Sequence, residues 1–228
     1  MKRSEINGYI RNAESFFAEH RFILPPFGRW TPEQWKSVGP EADEVRHKAL
    51  GWDLTDFGEG QFEHRGLLLF TIRNGDLDDE ADGKCYAEKI MIVRDRQITP
   101  WHFHWSKVED IINRGGGNLV IELAWATGDE NGLEDREVEV ACDGVVRRVP
   151  ARGRITLGPG ESVTLPPKLY HSFYGEAGKG TVLVGEVSKT NDDNTDNRFL
   201  DPIGRFPSIE EDEAPYRLLC TEYPGCKT

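Results

Sequence analysis

The stretch TPWHFHWSKVEDIINRGGGNLVIEL, residues 99–123, places two histidines one residue apart, a glutamate five positions after the second, and three consecutive glycines before an apolar run. In a β-strand residues i and i+2 project from the same face. His102 and His104 then point the same way, into a barrel if that face is inward. Trp101, Phe103 and Trp105 fall on the opposite face, where they are expected to pack against helices or a second sheet. Glu109 lies where the chain can turn back and bring its carboxylate alongside. Two imidazoles and a carboxylate are a common ligand set for a divalent metal that keeps positions open for substrate.

The surrounding sequence has the period of strands. From about residue 66 onward, GLLLFTIRNG, YAEKIMIVRD, NLVIELAW, EVEVACDG, VVRRVPA, ESVTLPP, YHSFYG and TVLVGEVS are short apolar runs separated by Gly, Pro, Asn and Asp. Asp143-Gly144 fits a hairpin turn. Many short strands with no helical pattern between them indicate a β-sandwich or barrel. The first 65 residues read as helical decoration. Ile6, Tyr9, Ile10, Ala13, Phe16 and Phe17 form one stripe with Ser4 as the expected N-cap, and Thr31-Pro32-Glu33-Gln34 is a capping box with proline at the first helical position. The segment 191–228 is polar and proline-rich and is expected to pack on the barrel as loop and tail, with the acidic run Glu210–Glu213 solvated. The three segments form a single domain.

Composition narrows the function. Of 228 residues, 40 are acidic and 28 basic, a formal net charge of −12. A surface that negative repels phosphate backbones and anionic lipid, so neither nucleic acid nor a membrane is an expected partner. No apolar run is long enough to span a bilayer, and the opening residues lack the pattern of a signal peptide, which points to the cytoplasm. The four cysteines make no C-x-x-C pair and are expected to be reduced thiols. Gly115-Gly116-Gly117 is followed by neither lysine nor Ser/Thr, so a turn is expected there rather than a phosphate loop.

Only six histidines are present, and His171, after the Pro166-Pro167 turn, is the third that lies in a β segment. On these residues the chain resembles the cupins. HFHWSKVEDIINRGGG fits H-x-H-x4-E-x6-G through His102, His104, Glu109 and Gly116, and PPKLYH fits P-x4-H through Pro166 and His171, without the usual intervening glycine. More specifically, LPPFGRWTPEQW, LGWDLTDFG, HFHWSKVEDIINRGGGNLVI, LYHSF, VLVGEVS and NDDNTDNRFLDPIGRFP resemble the D-lyxose ketol-isomerases and together span nearly the whole chain. The resemblance implies a cupin (double-stranded β-helix, jelly-roll) barrel and a homodimer. It also implies a divalent metal, Mn²⁺ foremost, on His102, His104, Glu109 and His171. The implied reaction is isomerisation of D-lyxose to D-xylulose, and of D-mannose to D-fructose, through a cis-enediol.

Proton transfer needs groups beyond the metal ligands. Lys89 in YAEKIMIV, Glu186 in VLVGEVS and Glu122 in NLVIELAW are charges inside apolar strands, which must be paired, turned outward or used. Glu186 is the expected base, with Lys107 and Lys89 as assisting cations, and Asp193, Asp196 and Arg205 of the loop after residue 190 as hydroxyl-binding groups. The aromatics Trp101, Trp105, Phe173 and Tyr174 suit either core packing or sugar stacking. Two other functions use the same ligands: an Fe²⁺-dependent cupin dioxygenase, and a sugar-binding cupin without catalysis.

Overall fold

Helix α1 (Arg3–Glu19) buries Ile6, Ile10, Ala13 and Phe17, the stripe set by their three- and four-residue spacing. The computed structural model to which it belongs describes residues 1–79, 81–193, 195–204 and 207–225. The N-cap is Lys2 rather than Ser4: the Lys2 N–H donates to the Glu5 carboxylate at 2.6 Å, and the Ser4 hydroxyl instead donates to Asp212. The acidic run Glu210–Glu213 is exposed, as a solvated segment should be, yet this contact also ties it to the start of α1. Asp212 also accepts the Ser4 N–H at 2.9 Å, Asn7 donates to Glu213, and the buried Arg3 guanidinium reaches both Glu211 and Glu222. The carboxylates sit where the first turn of a helix leaves N–H groups unpaired and the helix dipole is positive. Helix α2 (Pro32–Ser37) starts at the expected capping box, Thr31 with Gln34, and a short α3 (Asp43–His47) follows.

Two antiparallel sheets make the barrel. One runs in the order β1 (Gly51–Thr55), β2 (Leu67–Arg73), β3 (Tyr86–Val93), β12 (Val182–Lys189), β5 (Glu109–Gly116), β10 (Ser162–Leu165). The other runs β13 (Arg198–Phe199), β4 (Ile98–Phe103), β11 (Leu169–Gly175), β6 (Leu119–Trp125), β9 (Gly153–Leu157). A ribbon of β7 (Val138–Cys142) and β8 (Val145–Val149) turns at Asp143-Gly144. Strand β1 lies within the stretch read as helical decoration: GWDLT is short, and its pairing partner is what makes it a strand. Strand β9 was likewise absent from the sequence reading.

The six-stranded sheet is covered on both sides. Its inner face meets the second sheet over Met91, Ile111, Val163, Val184, Ile121 and Phe173. Its outer face carries Trp52, Phe70, Ile90 and Leu183 against Ile6, Ile10 and Phe17 of α1. Double coverage explains why YAEKIMIV reads as a nearly continuous apolar run rather than an alternation. The aromatics beside the histidines pack differently from expectation. Phe103 meets Tyr170 of the neighbouring strand β11 edge-on at 4.7 Å, and the exposed Trp105 donates its indole N–H to Glu130 of the β6–β7 connection. Among the described residues no helix is long and apolar enough to cross a membrane, and the cysteines Cys85 and Cys142 are free thiols.

The glycines of the opening motif end a strand instead of forming a separate turn. Gly116 takes φ +86°, and a Cβ there would stand 2.2 Å from the Thr181 carbonyl oxygen, while one on Gly115 would meet the His20 ring at 2.6 Å. The end of α1 and the hairpin before β12 therefore close onto bare backbone. Gly116→Ala should cost about 2–4 kcal/mol, combining left-handed strain with overlap against backbone that cannot yield. Urea unfolding measures this, and a loss below about 1 kcal/mol would contradict the close approach.

Candidate metal centre and active site

Strand pairing assembles the histidines. His102 on β4 is the register partner of His171 on β11, so residues distant in sequence become neighbours on one sheet. His104 follows the end of β4, and Glu109 opens β5 on the facing sheet, so the four residues meet between the sheets at one end of the barrel. All four are buried.

The hydrogen bonds determine what the rings present to one another. Nδ1 of His102 lies 2.8 Å from the Pro100 carbonyl oxygen, Nδ1 of His171 lies 3.0 Å from that of Leu169, and Nδ1 of His104 lies 3.0 Å from that of Asp196. A carbonyl only accepts, so each Nδ1 carries the proton and each Nε2 keeps its lone pair. Burial, reinforced by His171 and His104, pushes the pKa of His102 well below the usual imidazole value. Burial opposes the charge on Glu109, yet Lys107 and then His104 hold its carboxyl well below the usual carboxylate range. Glu109 Oε1 stands 3.3 Å from His104 Nε2 and 3.2 Å from His171 Nε2, and all three atoms are buried without a hydrogen-bond partner. Acceptors turned on one another at that distance repel unless a cation lies among them. The ligand atoms of His102, His104 and His171 fall within 4.8 Å of each other. The donor set fits a divalent metal.

A chain of alternating charges leads away from this cluster. Lys107 Nζ is 2.7 Å from Glu109 Oε2 and 2.9 Å from Glu186 Oε1. Glu186 is the cross-strand partner of Lys89, whose Nζ lies 3.4 Å from its Oε1 and 2.9 Å from Asp193. Burial works against the Lys107 charge, but Glu109, Glu186 and Asp193 raise its pKa above the usual lysine value, so it is an ammonium and not a base. Ser188 also donates to Glu186 Oε1 at 3.1 Å, and Oε2 is left at the wall of a cavity of about 290 Å³. That volume is at the small end of ligand sites and suits a small molecule rather than a polymer.

Of the expected site residues, His102, His104, Glu109, His171, Lys107, Lys89, Glu186 and Asp193 all line this cavity. Asp196 is not among the residues lining it: its carboxylate accepts the N–H groups of Ser106 and Lys107. Arg205 lies outside the described residues. Glu122 pairs outward with Arg154. Phe173 joins the cavity wall, whereas Tyr174 donates to Glu122 on the outside. Sequence reasoning missed Asp53, Thr55 and Phe57, Asn197, and Phe199, which stacks on His102 at 5.4 Å. Buried Trp52 and Leu54 alternate with Asp53 and Thr55, a signal legible once GWDLT is recognised as a strand.

A family model described as D-lyxose isomerase matches residues 1–223. The chain belongs to the D-lyxose isomerase family. It is 51% identical over 224 residues to a D-lyxose/D-mannose isomerase of Escherichia coli O157:H7, covering 98% of both chains. It is 50% identical to one of Serratia proteamaculans with the same coverage. Among solved structures, the ligand-free L-ribose isomerase of Cellulomonas parahominis superposes with a TM-score of 0.61 at 18% identity, over 92% of this chain and 98% of that one. The Acinetobacter sp. DL28 L-ribose isomerase in complex with L-ribose gives 0.61 at 15% identity, over 91% and 98%. At those identities the likeness is one of fold, the cupin barrel with N-terminal helices.

The geometry predicts that His171→Ala loses bound metal or binds it far more weakly. One of four donors disappears, and the remaining three no longer enclose the ion. Elemental analysis and titration check this; unchanged stoichiometry and affinity would remove His171 from the centre.

Proposed function

We propose that this protein is a metal-dependent aldose–ketose isomerase that interconverts D-lyxose with D-xylulose and D-mannose with D-fructose. His102, His104, Glu109 and His171 hold the divalent ion, with Mn²⁺ the first candidate for imidazole and carboxylate donors. One observation carries the reading: Lys107 bridges the ligand Glu109 and the strand carboxylate Glu186 within one small cavity. The names of the two relatives that are about half identical support the choice of sugars.

When bound, the ion would act as a Lewis acid toward the sugar's carbonyl and neighbouring hydroxyl oxygens. The chain's own residues do the rest. Glu186 Oε1 is fixed by Lys107, Lys89 and Ser188, so Oε2 is aimed into the cavity. Oε2 takes the C2 proton of the aldose and returns it to C1, while the O2 hydroxyl proton passes to O1, so that C1 ends as the alcohol and C2 as the carbonyl. One base serving both carbons on one face gives a cis-enediol. Lys107 has three N–H donors, two of them used by carboxylates, and the third is available to a sugar oxygen. Phe57, Phe199 and Phe173 line the apolar part of the cavity and exclude water from the proton being moved. Asp193 contributes a carboxylate at the rim for a distal hydroxyl, and Arg205 is assigned the same task.

The protein is taken to work as one cupin unit, a homodimer in the cytoplasm. The family resemblance supports the dimer, and the free thiols of Cys85 and Cys142 accord with a reducing compartment.

Glu186→Gln tests the reaction. Gln is nearly isosteric and still hydrogen-bonds, but it cannot accept a proton at neutral pH. Turnover of D-lyxose should fall by roughly two to four orders of magnitude with metal content unchanged. Exchange of the C2 hydrogen with D₂O should slow in parallel, which separates an isomerase from a protein that only binds sugar. Full activity without oxygen would exclude a dioxygenase. Near wild-type turnover by the variant would make Glu186 structural.

A further inference from the structure

The three histidines are not oriented in the same way. His102 and His171 each donate to the carbonyl two residues earlier on their own strand, so the strand itself sets the ring. His104 donates instead to the carbonyl of Asp196, 92 residues away. Its ring therefore depends on a segment that the barrel strands do not hold.

The same residue supports the next part of the chain. His104 to Val108 form an irregular connection between β4 and β5, and three groups of the site, His104, Lys107 and Glu109, lie on or beside it. An irregular backbone has no ladder to satisfy its N–H groups, and Lys107 is buried. Asp196 supplies the missing acceptors: Oδ1 takes the Ser106 N–H at 2.9 Å and Oδ2 takes the Lys107 N–H at 3.0 Å. Asp196 is anchored in turn by its own N–H to the Asp192 carbonyl at 2.9 Å, and by β13, whose Phe199 pairs in register with His102. One residue thus sets a metal ligand through its main chain and the Lys107 backbone through its side chain.

We infer that Asp196 is a positioning residue for the metal centre, holding the 104–108 connection in the shape that brings His104, Lys107 and Glu109 together. It touches neither metal nor sugar and acts through the groups it fixes. The inference rests on the metal-centre part of the proposed function but not on the identity of the sugar. By linkage, metal binding must tighten this connection as much as the connection favours the metal.

The test uses metal-free full-length protein titrated with Mn²⁺. Asp196→Asn keeps the shape but replaces one acceptor with a donor facing an N–H. The Mn²⁺ dissociation constant should rise by roughly 10–100-fold, the usual effect of removing an outer partner of a metal ligand. Asp143→Asn is the control. Asp143 also accepts a backbone N–H, that of Ser162, far from the site, so the substitution should leave Mn²⁺ affinity unchanged. An Asp196→Asn affinity within about twofold of wild type, against that 10–100-fold expectation, would overturn the inference. If the variant does not fold, hydrogen exchange of the wild-type peptide spanning residues 104–108 decides. Mn²⁺ should slow its exchange, and equal rates with and without Mn²⁺ would refute the coupling. Wild-type protein that binds no Mn²⁺ would sink both this inference and the proposed function. Tight Mn²⁺ binding without D-lyxose turnover would sink only the proposed reaction.

Discussion

Three buried imidazoles have each spent their proton on a backbone carbonyl and turn their lone pairs toward one another and toward a carboxylate oxygen. Such a cluster of acceptors is unfavourable in any protein interior, because nothing within it donates. A cation reverses the sign of every one of these contacts. The rest of the site follows from the need to stabilise that arrangement in a place dry enough for proton transfer.

Lys107 is the pivot. Alone, a buried ammonium would lose its proton to escape the cost of desolvation. Placed between Glu109 and Glu186 it stays charged, and each carboxylate is in turn held by an adjacent cation. Glu186 leans on Lys89, and Lys89 on Asp193, so the series runs from the metal ligand toward the more exposed carboxylate of Asp193. Burying one such pair rarely stabilises a protein against an apolar alternative. A run of five that ends on the carboxylate facing the histidine cluster is therefore better understood as function retained at some cost in stability. The doubly covered sheet offsets that cost, since β3 and β12 carry Lys89 and Glu186 on one face and core residues against α1 on the other.

Strand parity is a local property, and it is legible: His102 and a β-sandwich or barrel can be read from alternation and turn residues, and the resemblance narrows these to a cupin. His171 stands out in the sequence only as the third histidine in a β segment, and the pairing of β4 with β11 is what brings it to His102. Lys89 and Glu186 announced themselves as charges in apolar strands, which is a cost the sequence displays openly. Asp196 did not. An aspartate in a polar loop looks the same whether it binds a sugar hydroxyl or a backbone N–H, and only tertiary structure separates the two. The same holds for Glu211, Asp212 and Glu213, whose composition signals solvent but whose position signals the start of α1. Ser4 failed as a cap for that reason: its hydroxyl had a better acceptor across the fold than in its own helix.

These misreadings share a physical cause. Apolar patterning reports burial, and burial of a side chain depends mostly on its own chemistry. A carboxylate has no such preference of its own, because its energy is set by whichever donor it meets. The acidic excess of this chain is thus several populations under one charge. Some carboxylates dock α1, Glu109 faces the metal site, Glu186 is poised at the cavity, and Asp196 completes an irregular turn. What distinguishes them is the donor each one finds: a helix N-terminus, one ammonium beside three imidazoles, two ammonium groups, or a pair of backbone N–H groups that no strand could satisfy. The barrel supplies those donors in fixed places, and so turns a common residue into parts that are not interchangeable.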